Sequence, residues 1–303
     1  MTIVKKVGFV GTGIMGAPMA RNIAQSGFPV SVYNRTAEKA NPLKEFGIKV
    51  ATSIPELAKD SDIVITMLSD TPDVLEVIEG PNGIAQNLAA GSTIIDMSTI
   101  SPSATKELSS RLSSIGLSML DAPVSGGSWG AEQGTLAIMV GGDEAVLSLC
   151  LPVLESMGQR ITHMGSNGMG QTTKLVNQIL VAGTLSAVAE AMVFAAAHGS
   201  DLEKTIEAVG SGAAGSWQLN NLGPRMINGD FAPGFMIKLQ QKDLRLVLEA
   251  GYSSNVPLAV TELSKEWLDV AESLGASEEG TQAVIKSVEK LAGVVARHPS
   301  SSN

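Results

Sequence analysis

Short aliphatic runs alternate with amphipathic stretches through the first half of the chain. Residues 7–10 (Val-Gly-Phe-Val), 30–33 (Val-Ser-Val-Tyr), 63–67 (Ile-Val-Ile-Thr-Met) and 93–96 (Thr-Ile-Ile-Asp) are apolar nearly throughout rather than every second residue. That is the pattern of strands covered on both faces of a parallel sheet. Helix-compatible segments at 17–26, 54–59 and 103–115 lie between them, and strand–helix alternation with short loops predicts a doubly wound Rossmann sheet. Further strands are expected at 118–121 and 136–140, then a helix at 144–157 kinked at Pro152, and a last strand at 160–163.

The texture changes after the Gly-Ser-Asn-Gly turn at 165–168. Residues 171–198 form one helical pattern without proline, on the order of 40 Å long at about 1.5 Å per residue. From 201 to 296 the chain reads as helical, broken at 210–215, 223–224, 233–234 and 256–257. The expected fold is therefore α/β: an N-terminal Rossmann domain over 1–164, an all-helical C-terminal domain over 165–296 that begins with the long helix, and a flexible tail at 297–303. The most apolar stretch, 179–197, is interrupted by Glu190 and is expected to be a buried core helix rather than a membrane span.

A length of 303 residues suits two domains, each with its own core. The formal net charge is −9 and no basic stripe is present, which argues against a nucleic-acid partner and means that an anionic substrate would need locally placed cations. A single cysteine, Cys150, excludes an internal disulfide framework and fits a reducing compartment. The first residues run into a strand without the apolar stretch that export needs, so a cytoplasmic location is expected.

Gly11-Thr12-Gly13-Ile14-Met15-Gly16 follows a hydrophobic strand and opens a helix. In this context Gly11 permits a tight turn, Gly13 lets backbone approach a pyrophosphate, and Gly16 lets helix pack on strand, so the whole turn, Ile14 and Met15 included, is assigned to a dinucleotide. The second strand ends in Asn34-Arg35-Thr36. A carboxylate here would bind both ribose hydroxyls of NAD, whereas Asn34 does not repel a 2′-phosphate and Arg35 can clamp one, so NADPH is expected over NADH. Leu68 and Ser69, just past the third of these strands, are counted with the cofactor residues.

Asp121-Ala122-Pro123-Val124-Ser125-Gly126-Gly127 also follows a strand. Ser125, Gly126 and Gly127 can offer a hydroxyl and successive N–H groups to a carboxylate, although such a run alone is more often an ordinary loop. Lys174 is a lone cation at the start of the long, nearly uncharged helix, and shares a face with Asn177 and Gln178. An ammonium there can serve as proton donor while Gln178 orients a substrate, and the plain alternative is a lysine snorkelling from a packed helix. Phe235, Lys242 and Asp243 can line the same cleft, although Lys242-Asp243 alone reads as a surface pair. The three histidines, His163, His198 and His298, have no metal-cluster spacing, and no metal is expected.

Together these motifs resemble the β-hydroxyacid dehydrogenase family, over residues 7 to about 291. The resemblance implies that Lys174 is the catalytic lysine, Ser125 and Gly126 the substrate loop, Thr99 a nicotinamide-side residue and Lys242 a cofactor contact. Many members have Asn where this chain has Gln178, and those that reduce tartronate semialdehyde share the Asn-Gln pair of this chain. Asn34-Arg35-Thr36 and the run at 240–243 are more similar to the NADPH-using glyoxylate and succinic semialdehyde reductases. Implied are NADPH-dependent reduction of a small aldehyde-acid to the hydroxyacid and a homodimer or homotetramer. The rival within enzymes is NAD-dependent oxidation of 3-hydroxyisobutyrate or a related β-hydroxyacid. A rival of another class is a non-catalytic dinucleotide-binding protein, against which an intact Lys174 counts. An imine reductase shares the architecture, and Lys174 counts against that as well.

Overall fold

The computed structural model describes residues 5–297. The first four residues, on which part of the export expectation rests, and residues 298–303 of the expected tail lie outside the described residues, whereas Arg297, the first residue of that tail, is held by an ion pair to Glu289 at 2.6 Å. The chain forms two compact units that divide between Lys174 and Leu175.

The first unit is built on a sheet of β1 (Val7–Val10), β2 (Val30–Tyr33), β3 (Lys49–Val50), β4 (Ile63–Thr66), β5 (Thr93–Asp96), β6 (Ser118–Asp121), β7 (Val124–Ser125), β8 (Leu136–Gly141) and β9 (Gly158–Gly165). Its order is β3-β2-β1-β4-β5-β6-β8-β7, with β9 paired to β8. Strands β1 to β6 run parallel, as the two-sided apolar pattern of β1, β2, β4 and β5 predicts. The extension differs: β8 runs antiparallel to β6 and β7, and β9 parallel to β8.

Helices α1 (Gly16–Gln25), α2 (Ile54–Lys59), α3 (Thr71–Glu79), α4 (Ile84–Asn87), α5 (Pro102–Ser114), α6 (Gly127–Gln133) and α7 (Glu144–Glu155) complete this unit. Because successive strand residues point to opposite faces, β1, β4, β5 and β6 each feed two cores. Phe9, Ile65, Ile95 and Leu120 pack with Met19, Ile23 and Leu154 in one. Val10, Val64, Ile94 and Met119 pack with Leu57, Ile78 and Leu108 in the other. Each such side chain contributes roughly 1.5–3 kcal/mol when fully buried. Side-chain caps start the helices where turn residues precede apolar periodicity: Ser53 for α2, Asp70 for α3, Ser101 for α5 and Asp143 for α7. Pro152 lies inside α7, which nonetheless runs on to Glu155.

Helix α8 (Met169–Ala197) crosses the division between the units. The second unit continues with α9 (Leu202–Gly210), α10 (Trp217–Ile227), α11 (Ile237–Ser254), α12 (Ala259–Ser273) and α13 (Ile285–Ala292). Its core joins Leu185, Met192, Leu219, Met226, Leu244, Val247, Leu268 and Ile285. The break expected at 223–224 does not occur. Gly223 and Pro224 lie inside α10, where a Cβ on Gly223 would meet Ile206 Cδ1 at 3.3 Å, so close packing on α9 holds the helix through the proline. α8 has a mean hydropathy of 1.9 over its most apolar window and is long and apolar enough to cross a membrane by length and composition. Its polar residues Gln171, Lys174 and Gln178 are buried in protein, while Leu180 and Phe194 are exposed, so the stretch expected to be a buried core helix is buried only in part.

Candidate active site

The dinucleotide turn follows β1 at the carboxyl ends of the parallel strands, where doubly wound sheets hold their ligands. Gly11 has φ +101°, which excludes a side chain. A Cβ on Gly16 would run into the carbonyl oxygen of Gly11, so this glycine closes the turn on itself. Gly13 differs, because a Cβ there would meet nothing within 4 Å. The protein itself does not require glycine at this point, whereas close approach by a phosphate does. Thr12 Oγ1, beside it, is buried without a hydrogen-bond partner. Open space over a glycine and a buried orphan hydroxyl at the start of α1 fit a bound pyrophosphate.

Asn34 braces this turn from the end of β2. Its Oδ1 accepts from the Thr12 N–H at 3.0 Å and its Nδ2 donates to the Thr36 carbonyl at 2.8 Å. Arg35, Thr36 and Ile14 are exposed, and Met15 precedes the first turn of α1.

At the next strand ends a polar lattice takes over. The Thr66 hydroxyl donates to Asp96 Oδ1 at 2.7 Å, and the Ser98 N–H reaches the same oxygen at 3.2 Å. Ser98 Oγ accepts from the Leu68 N–H at 2.8 Å, which fixes the loop carrying Leu68 and the exposed Ser69. Thr99 follows, half-buried.

Lys174 is 8% exposed, and its Nζ donates to the Val124 carbonyl at 2.8 Å. It is a buried cation rather than a snorkelling one, placed one residue from Ser125. Gly126 and Gly127 follow with φ +139° and +62° and lead into α6, so this run is a strand-to-helix turn rather than a free loop.

Asp121, at the end of β6, clamps the start of the helix that bears Lys174. Its Oδ1 accepts from the Gly168 N–H at 2.8 Å and its Oδ2 from the Gln171 N–H at 3.0 Å. Burial pushes its carboxyl up to about 6, against the opposing pull of these N–H groups, and nearby Asp96 adds to the rise.

The second unit carries its own cluster. Gln178, 2% exposed, donates to Asp243 Oδ2 at 2.5 Å and accepts from Asn177 Nδ2 at 2.8 Å. Lys242 Nζ lies 2.7 Å from Asp243 Oδ1. The pair at 242–243 is therefore not a surface pair: Asp243 is buried because Gln178 and Lys242 satisfy both of its oxygens. Phe235, half-buried, sits in the turn before α11, tied to the segment at 277–282 through its carbonyl, which accepts from the Thr281 N–H at 2.9 Å.

Gln171 and Asp121 carry no assignment from sequence, nor does Ser98. A signal for Gln171 exists: Gln171, Lys174 and Gln178 stand at i, i+3 and i+7, a polar stripe on an otherwise apolar helix, and all three are buried.

Residues 6–165 match the model of the NAD binding domain of 6-phosphogluconate dehydrogenase, and residues 168–288 match that of NADP-dependent 3-hydroxyisobutyrate dehydrogenase. The chain is 42% identical to 2-hydroxy-3-oxopropionate reductase of Escherichia coli, over 95% of this chain and 98% of that protein. It is 35% identical to mitochondrial 3-hydroxyisobutyrate dehydrogenase of Mus musculus, over 92% of this chain and 86% of that one. A solved structure of 3-hydroxyisobutyrate dehydrogenase from Mycobacterium tuberculosis with L-serine superposes with a TM-score of 0.87 at 31% identity, covering 94% of this chain and 99% of that one.

Proposed function

The chain belongs to the β-hydroxyacid dehydrogenase family, an NAD(P)-binding oxidoreductase acting on a small hydroxy- or oxo-acid, and from that premise we propose that it reduces a small aldehyde-acid with NADPH. The substrate class is that of glyoxylate, succinic semialdehyde and tartronate semialdehyde, and the product is the hydroxyacid. The 42% identity to the 2-hydroxy-3-oxopropionate reductase supports the aldehyde-acid side of the family.

One observation carries this proposal: the Lys174 ammonium is buried against the Val124 carbonyl, beside Ser125 and Gly126. A carbonyl oxygen that displaces or shares that contact receives a hydrogen bond which strengthens as negative charge develops on it. The bound dinucleotide supplies the hydride. Lys174 supplies the proton, and Ser125 with the N–H groups of Gly126 and Gly127 takes the substrate carboxylate. Gln178, held by Asp243, is assigned to the substrate with Asn177 and Phe235 from the sequence pattern. Lys242, paired to the same Asp243, and Thr99 are assigned to the cofactor by the family resemblance. Asn34, uncharged, and the exposed Arg35 favour the 2′-phosphate of NADPH over NADH.

The protein works in the cytoplasm as a homodimer or homotetramer. Exposed Val176, Leu180 and Phe194 on α8 and Val260 and Leu263 on α12 supply apolar surface for self-association.

Lys174→Ala tests the proposal on whichever of these aldehyde-acids, or methylmalonate semialdehyde, the native protein turns over. Loss of a general acid should lower kcat by on the order of 10²-fold or more, while the fold and NADPH affinity persist. Lys174→Arg should rescue poorly, because its charge is placed differently. Near-normal turnover by the alanine variant would remove Lys174 from the mechanism.

A further inference from the structure

Gln171 sits in the first turns of α8 with no exposed surface, and both ends of its amide are in use. Its Oε1 accepts from the Ile100 N–H at 3.1 Å, and its Nε2 donates to the Ser98 carbonyl at 2.8 Å. The amide thus pairs with the backbone on either side of Thr99, and only one orientation of the side chain satisfies both partners. Its own N–H is held by Asp121 Oδ2 at 3.0 Å. Ser98 in turn holds the Leu68 N–H and contacts Asp96. A continuous buried hydrogen-bonded path therefore runs from the loop after β4, through residues 98–100, to the helix that carries Lys174 three residues further on.

We propose that Gln171 is a positioning residue that locks the Thr99 backbone to the first turns of α8, so that Lys174 and the cofactor-side loop are held in one frame. It touches neither substrate nor cofactor and acts through Lys174 and Thr99. No neighbouring group replaces it, because Ile100 N–H and the Ser98 carbonyl are interior and would each be left without this partner. Displacements of about 1 Å at such a distance from the chemistry can reduce rates on the order of 10²-fold.

This inference rests on Lys174 being the proton donor, and the test separates the two. Gln171→Met keeps the length and volume of the side chain and removes both hydrogen bonds. Its kcat should fall on the order of tenfold or more, with the dissociation constant for NADPH, read by fluorescence titration, changed less than about threefold and the thermal transition still cooperative. The loss should shrink in the Lys174→Ala background, since only the part that Gln171 exerts through Thr99 is left. In hydrogen exchange, the Ile100 amide should be protected in the native protein and lose that protection in the variant. If Gln171→Met does not fold, Gln171→Asn keeps the amide one methylene short of its partners and should show the same kcat loss in weaker form. A Gln171 variant with native kcat, or an effect that multiplies undiminished with Lys174→Ala, overturns the proposal alone. Full turnover by Lys174→Ala overturns both this proposal and the function assigned to Lys174.

Discussion

The glycine turn at Gly11–Gly16 and the polar lattice around Gln171 shape strand ends of the same sheet by opposite means. The turn works by having nothing in it: Gly11 takes a φ of +101°, and Gly16 leaves room for a carbonyl. Its partners lie within a few residues or on the next strand. The lattice works by filling space with paired polar groups, and the hydrogen bonds made by Asp121 and Gln171 join residues 47 to 73 positions apart. A local constraint of the first kind depends on backbone freedom, whereas the second depends on several distant side chains being satisfied at once. The turn should therefore fail abruptly at single atoms, and the lattice gradually, with pH and with each lost hydrogen bond.

The sharpest break in that comparison is Gly16→Ala. Its Cβ would fall on the Gly11 carbonyl, backbone that cannot move aside without opening the turn, and a stability loss on the order of 3 kcal/mol is expected. Thermal melting should show the drop and fluorescence titration the loss of dinucleotide binding. Gly13→Ala is its control. With nothing within 4 Å of the new Cβ, the melting temperature should hold while NADPH affinity falls on the order of tenfold, because the methyl occupies the space needed for close approach to the phosphates. A destabilised Gly13→Ala with native affinity would mean that the glycine serves the fold.

Asp121 sharpens the other side. Burial raises its folded-state carboxyl from the ordinary 3.8 to about 6, so between these values the folded protein binds a proton that the unfolded chain releases. Stability from this group is thus present at low pH and lost as pH rises from about 4 to about 6, a swing of roughly 3 kcal/mol at about 1.4 kcal/mol per pH unit. Urea denaturation across this range, compared between native protein and Asp121→Asn, isolates its share. The variant should lack this component, though it is weaker overall because its amide presents a donor to a backbone N–H. Parallel pH profiles for the two proteins would show that Asp121 does not titrate there.

The smallest effect is expected at Asn34 and Arg35. Asn34→Asp keeps an acceptor for the Thr12 N–H, turns a donor toward the Thr36 carbonyl into an acceptor, and sets a charge beside the 2′-phosphate. Selectivity, as the ratio of kcat/KM for NADPH and NADH, should move on the order of tenfold toward NADH. Arg35→Ala should raise the KM for NADPH with kcat nearly unchanged, as for a contact made equally before and during hydride transfer.

The same contrast explains what could be read from the chain. Strands such as Ile63–Thr66 and Thr93–Asp96 declare themselves because burial on both faces demands continuous apolar runs. The two-residue strands Lys49–Val50 and Val124–Ser125 are too short for any period to register. Helix α3, absent from the expected elements, nonetheless has its signals in the chain: Asp70 as cap, Pro72 in the first turn, and Val74 and Ile78 on the buried face. Within the site, the glycines and Lys174 stand out locally, as an unusual backbone requirement and a lone charge. Gln171, Ser98 and Asp121 are ordinary polar residues whose role exists only once strands far apart in sequence lie side by side. The i, i+3, i+7 stripe of Gln171, Lys174 and Gln178 was the one local trace of it.

The central claim is that this protein is an NADPH-linked reductase of small aldehyde-acids. Its most direct test is to follow nicotinamide absorbance with purified native protein and glyoxylate, succinic semialdehyde, tartronate semialdehyde or methylmalonate semialdehyde, with NADPH and NADH side by side. The predicted result is turnover of at least one of the first three, with the higher kcat/KM for NADPH. Contradiction would be no oxidation of NADPH with any of them, or equal or better use of NADH together with faster NAD-linked oxidation of 3-hydroxyisobutyrate.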